Sequence, residues 1–243
     1  MPAALLAADT ADTNKPLIVV IGNSMQDEGI HFPTLEKGLN AQIENVWISG
    51  SASCWKFAKL WHYIHHWEKQ GLTRKPDYVV VISRENFITH TARRTTHEYV
   101  EPIAEAIDGD KDLQAIIDSV LKIGAGRYST WDFDSVIENS FLHQMILAAD
   151  SAGVQFIFAR HRVEKDARNP FWSDSCGGRE YRDSLAKYLK SHNVPFLDYS
   201  LNPELMVEYY NIGDHLFWPG KTAWNVSVLG APKKMLGTKS TKE

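Results

Sequence analysis

Apolar residues along the chain come in two rhythms, and the change from one to the other predicts the fold. Five short runs are apolar almost throughout and rich in β-branched residues: 17–21 (LIVVI), 45–48 (NVWI), 78–82 (YVVVI), 154–159 (VQFIFA) and 194–197 (VPFL). A strand with one wet face alternates apolar and polar positions. Runs without that alternation predict strands covered on both faces, as in a parallel sheet. Between the runs, apolar residues return every three or four positions, which predicts helices over 32–39, 55–67, 103–107, 113–121, 136–149 and 181–189. Strand and helix in repetition imply right-handed crossovers and an α/β fold, a three-layer α/β/α sandwich around a five-stranded parallel sheet.

Length and composition sharpen this picture in a few places. With 243 residues, 44% of them hydrophobic, the chain can bury one substantial core. One domain is expected over 17–232, after a disordered Ala/Asp/Thr-rich lead-in over 1–16 and before a solvated basic tail over 233–243. A formal net charge of −4 argues against electrostatic capture of nucleic acid. No apolar run approaches the ~18 residues that span a bilayer, so no integral membrane segment is expected. The apolar segment 3–8 lacks a basic n-region, so no signal peptide is expected. That favours the cytoplasm, with the periplasm or cell envelope as the alternative. Cys54 and Cys176 have no metal-type spacing and are expected to be inert thiols.

In an open parallel sheet, ligands bind beyond the carboxyl ends of the strands, so the residues after each run matter most. The first run leads into Gly22-Asn23-Ser24-Met25-Gln26-Asp27-Glu28-Gly29. A serine at such a turn holds its hydroxyl at the sheet edge, and its own backbone N–H is ready for an oxyanion. Capping of the next helix is the commoner use of Asn23 or Ser24. Ser49-Gly50-Ser51 follows the second run, and a glycine there lets backbone approach a substrate or simply turns the chain. Ser83-Arg84-Glu85-Asn86 follows the third, where the Asn86 amide is either an oxyanion donor or a cap. Near the end, Asp214-His215-Leu216 lies in a Gly/Pro-punctuated loop suited to a general base, although a lone histidine is more often structural.

Taken in order, these four segments resemble the SGNH (GDSL-like) hydrolases. The blocks Gly22-Asn23-Ser24…Gly29-Ile30, Asn45-Val46-Trp47-Ile48-Ser49-Gly50-Ser51, Lys75-Pro76-Asp77…Glu85-Asn86-Phe87 and Asp214-His215-Leu216…Gly220 look like the branch related to polysaccharide O-acetylation proteins. The resemblance runs over about residues 17–220. It implies that Ser24 attacks an ester carbonyl, that His215 takes and returns the proton, and that Ser24 N–H, Gly50 N–H and the Asn86 side chain form an oxyanion hole. The implied activity is hydrolysis of a small acyl ester, carbohydrate O-acetyl groups among them, without metal or cofactor. Acetyl transfer to a polysaccharide by the same site, and a binding domain without catalysis, are the alternatives.

The chain departs from the family pattern in three places. Asn23 replaces the usual Asp before the serine, and Arg84 stands where a Gly usually precedes the Asn by two. The acid three residues before the histidine is Ile212. Asp214, Asn211 or a backbone carbonyl is left to orient His215, and inactivity stays open.

Other signals are weaker. Gly220-Lys221-Thr222 lacks the leading P-loop glycine, and Gly124 with Gly126 lacks the third glycine of a dinucleotide fingerprint. Gln26 occupies the second glycine position of an α/β-hydrolase elbow. His62, His65 and His66 have helical spacing, but Trp61, Tyr63 and Trp67 beside them favour a packed face over a metal site. Asn225-Val226-Ser227 is a glycosylation sequon that matters only in a secretory setting. Trp55, Trp172 and Trp218 could face a sugar, with core packing as the default.

Overall fold

The computed structural model describes residues 14–22, 26, 30–47, 53–83, 100–124, 133–160 and 178–199. Five strands form one sheet in the order β2-β1-β3-β4-β5: β1 Leu17–Gly22, β2 Gln42–Trp47, β3 Tyr78–Ser83, β4 Gln155–Arg160 and β5 Phe196–Asp198. Every pairing is parallel. Seven helices lie among the described residues: α1 Phe32–Leu39, α2 Ser53–His65, α3 Val100–Ile107, α4 Lys111–Gly124, α5 Phe133–Val136, α6 Phe141–Ser151 and α7 Gly178–Ser191.

The unbroken apolar runs go where two-sided burial puts them. All six residues of β1 are buried, and β1, β3 and β4 are the three inner strands of the sheet. Alternate residues feed two cores. Val19, Ile21, Val79, Val81, Phe156 and Phe158 point into the larger one, with Phe57 and Leu60 of α2, Phe141 and Met145 of α6, and Leu185 of α7. Ile18, Val20, Ile82 and Ile157 point to the opposite side, where Leu35 of α1 meets them. Helices therefore cover both faces. Phe57 and Leu60 are fully buried, and a side chain of this kind contributes about 1.5–3 kcal/mol on leaving water.

Several boundaries differ from the sequence expectation, for local reasons. Strand β2 begins at Gln42 rather than 45, because an edge strand tolerates polar residues: Glu44 accepts a hydrogen bond from Tyr63 of α2 at 3.2 Å. Strand β5 starts after Pro195, which has no N–H to give a ladder. Of the helix expected over 136–149, the first part is the last residue of α5 and a 3-10 turn at Ile137–Asn139, and α6 begins only at Phe141. Ser140 makes the break. Its Oγ accepts from the His143 backbone N–H at 3.2 Å and donates to the Ile137 carbonyl at 2.7 Å, capping α6 and closing the turn. No helix among the described residues is long and apolar enough to cross a membrane.

Candidate functional site

The order β2-β1-β3 makes β1 a topological switch point. The connection after β1 leads to one side of it, and the connection after β2 crosses back to the other. Crevices at such points, outside the carboxyl ends, are where open α/β sheets bind ligands. The strand ends are level there. Gly22 pairs with Trp47, Ser83 with Arg160, and Arg160 with Asp198.

Two buried polar anchors brace this edge. The first is Gln26, 1% exposed although it lies only four residues beyond the end of β1. Its Nε2 donates to the Val20 carbonyl at 3.1 Å and to Asn45 Oδ1 on β2. Its backbone carbonyl accepts from Ile30 N–H at 2.9 Å. The side chain therefore folds back and ties this position to two strands. Gly22 leaves it room, since a Cβ there would lie 2.0 Å from Gln26 Oε1.

The second anchor is Lys56, in the first turns of α2 and only 1% exposed. Its Nζ donates to Ser83 Oγ at 3.1 Å, joining α2 to the carboxyl end of β3. Burial lowers the Lys56 pKa to about 8, with the nearby Cys54 pulling the other way. Cys54 is itself buried, which pushes its thiol up to about 12 and leaves it neutral, the inert thiol the sequence suggested. At the far side of the edge, the buried Arg160 reaches Asp198 at 3.4 Å.

Ser24, Gly50, Asn86, Asp214 and His215 all lie outside the described residues, as do Ile212, Trp172, Trp218 and Cys176. Trp55 is buried in the larger core, as the packing default anticipated. Sequence reasoning missed Gln26, Lys56 and Arg160 as parts of this edge. For Lys56 a signal existed, a lone cation inside the apolar stretch Cys54-Trp55-Lys56-Phe57-Ala58. Nothing in the sequence distinguished Gln26 from an ordinary turn residue.

A separate polar cluster stands where α2 ends. His62, His66 and Asp110 present donor atoms that all lie within 4.8 Å of one another. His66 Nε2 is 3.0 Å from Asp110 Oδ2, which also accepts from Trp61 Nε1 at 3.0 Å. Asp110 Oδ1 caps α4 by accepting from the backbone N–H groups of Asp112 and Leu113 at 3.0 and 2.9 Å. Burial alone would raise the Asp110 pKa, but the Leu113 N–H and the bonds from His66 and Trp61 outweigh it and bring it down to about 2. Burial lowers the pKa of His62, against a pull from the backbone of Ala106.

No protein-family model and no curated protein sequence matches the chain. Solved structures do. A candidate acylhydrolase from Bacteroides fragilis is 19% identical with a TM-score of 0.50, over 93% of this chain and 90% of its own. An acetylxylan esterase from Geobacillus stearothermophilus, solved as a catalytic mutant, is 13% identical with a TM-score of 0.50, over 89% and 94%. TesA is 14% identical with a TM-score of 0.50, over 90% and 99%. The chain is similar to these in fold, along nearly its whole length.

Proposed function

We propose that this chain, which has the SGNH hydrolase fold, is a serine esterase acting on small acyl esters, with Ser24 as nucleophile and His215 as its base. One observation carries the reading. Strands β1, β2 and β3 are adjacent, with β1 in the middle, and Gly22 and Trp47 end theirs level. Ser24 follows Gly22 by two residues, Gly50 follows Trp47 by three, and Asn86 follows Ser83 by three. Neighbouring strands are about 4.8 Å apart, and three residues reach at most about 10 Å. The connections are thus short enough for a hydroxyl and its oxyanion donors to surround one carbonyl. A fold in which those residues followed unrelated strand ends would not allow it.

The chemistry then runs in two halves. His215 takes the Ser24 proton as Oγ adds to the carbonyl, and the oxyanion is met by the backbone N–H groups of Ser24 and Gly50 and by the Asn86 amide. Collapse expels the alcohol, which receives the proton from His215, and water repeats the cycle on the acyl-enzyme. The buried cations Lys56 and Arg160 lie on the same edge. Asp214 is the proposed partner for the imidazole, with Asn211 or a backbone carbonyl as the alternatives.

Carbohydrate O-acetyl groups are the proposed substrate class, on the strength of the four blocks that resemble O-acetylation proteins and of a fold shared with an acetylxylan esterase. Ser24→Ala should abolish turnover of an acetyl ester and labelling by a serine-directed phosphonate. Undiminished turnover in that variant would reject the nucleophile. Ile212 in the acid's usual place favours a second reading, a binding domain without catalysis. Failure of the wild-type protein to react with the phosphonate would select it. Acetate release that falls when an acceptor sugar is added would point instead to acetyl transfer.

A further inference from the structure

We infer that His62, His66 and Asp110 form a divalent metal site, of the two-histidine, one-carboxylate type that suits Zn²⁺, separate from the carboxyl edge. The residues belong to two elements that the chain joins only through a long connection, since His66 and Asp110 are 44 residues apart. His62 and His66 stand one helical turn apart at the end of α2, with ring centroids at 5.5 Å. The His66 backbone N–H donates to the His62 carbonyl at 2.8 Å, and although His66 itself has left helical dihedrals (φ −131°, ψ 39°), its ring stays beside that of His62.

Two features distinguish this cluster from an ordinary salt bridge. His62 is 5% exposed, yet its Nε2 is buried with no hydrogen-bond partner. A buried nitrogen lone pair or N–H left unpaired costs free energy unless something satisfies it, and a cation shared with Asp110 would do so. Asp110 is also held in place before any ion arrives. Oδ1 is spent on two backbone N–H groups of the α4 cap, while Oδ2 is turned towards His66 and Trp61. Trp61 Nε1 thus acts as the outer hydrogen bond that orients a ligating carboxylate.

The dimensions require only a small adjustment. Ligand atoms bound at ~2.0–2.1 Å around a tetrahedral ion stand ~3.4 Å apart, against a spread of no more than 4.8 Å here. The movement falls on His66, whose side chain is 35% exposed and which would exchange its bond to Asp110 for a bond to the metal. That exposure also leaves a coordination position for water. His65 does not belong to the set. Its Nε2 is also buried without a partner, but its ring lies 4.3 Å from that of Trp61 and it is not among the three residues whose donor atoms converge within 4.8 Å.

Residue spacing separates this site from the proposed catalytic edge. Lys56 marks where α2 meets the end of β3, and His62 lies six residues further along the helix, about 9 Å at 1.5 Å per residue. The ion would clip the end of α2 to the start of α4 and stabilise the bound form of the protein.

Metal-stripped wild-type protein should be titrated with Zn²⁺ by calorimetry, with Tm followed alongside. One equivalent should bind with micromolar or tighter affinity, and Tm should rise by several degrees. Asp110→Asn keeps an α4 cap, and His66→Gln changes a half-exposed side chain, so both variants should fold. Each should weaken binding at least tenfold and remove the Tm shift, while Ser24→Ala should bind Zn²⁺ like the wild type. Absence of stoichiometric binding would overturn the inference, as would affinity unchanged in the Asp110→Asn/His66→Gln double variant.

Discussion

Replacing Lys56 with Met removes a charge that the fold holds in its interior, and the protein should become more stable. The ammonium is 1% exposed, and its pKa falls from 10.5 to about 8. The difference, 10.5 − 8, is 2.5 units. At about 1.4 kcal/mol per unit, the folded state carries a penalty of about 3 kcal/mol at neutral pH. Methionine is unbranched like lysine and only one atom shorter, so little packing is lost. Ser83 Oγ loses its donor, which returns about 1 kcal/mol. The net expectation is a gain of about 2 kcal/mol in urea unfolding at pH 7, followed by tryptophan fluorescence.

The pH dependence has a definite sign. Below about pH 8 both folded and unfolded wild type are protonated at Lys56, and the penalty is whole. Between about 8 and 10.5 the folded state sheds its proton first, so the wild type gains on the variant. The gap should therefore be flat up to pH 8 and narrow above it, by up to about 1.4 kcal/mol per pH unit. A variant less stable than the wild type at pH 7, or a gap unchanged between pH 7 and 9.5, would refute the reasoning. Esterase assays on the same variant add a second reading. Stability gained while turnover falls would show that the buried charge is kept for the edge it sits under.

Two further substitutions probe the scaffold. Gly22→Ala puts a methyl 2.0 Å from Gln26 Oε1, so urea unfolding should show a loss of about 1–3 kcal/mol, with turnover falling more than stability alone explains; unchanged values would mean the Gln26 anchor yields freely. Ser140→Ala removes the α6 cap and the bond to the Ile137 carbonyl, and should cost about 1–2 kcal/mol in the same assay. A loss under 0.5 kcal/mol, at the foot of the usual range for a cap, would mean another group replaces the hydroxyl.

The middle of the sheet was legible in the sequence because burial on both faces leaves an unbroken apolar run through β1 and through β3 up to Ser83. The edges were less so. At β2 the polar residues Gln42 and Glu44 concealed half of a strand whose partners lie elsewhere in the chain, Leu17 and Val19 across the sheet and Tyr63 on α2. The break before α6 was hidden because Phe133, Ile137 and Phe141 all reach the larger core and keep the helical rhythm going across it. The only signal was Asn139-Ser140, a capping pair inside an apolar pattern. Of the candidate site, the reactive residues named from the sequence lie outside the described residues. The supports were not legible. Gln26 and Asn45 are joined across 19 positions, and Asp110 meets His66 across 44, distances over which no local spacing rule connects two residues.

Gln26 also sets how the protein would fail. The turn proposed to carry the nucleophile is pinned partly to Asn45, on a strand that pairs with β1 alone and stands at the margin of the sheet. Margins fray before centres do. Loosening β2 would release the turn while β1, β3 and β4 stayed paired. Activity should therefore vanish at urea concentrations where circular dichroism still reports a folded chain.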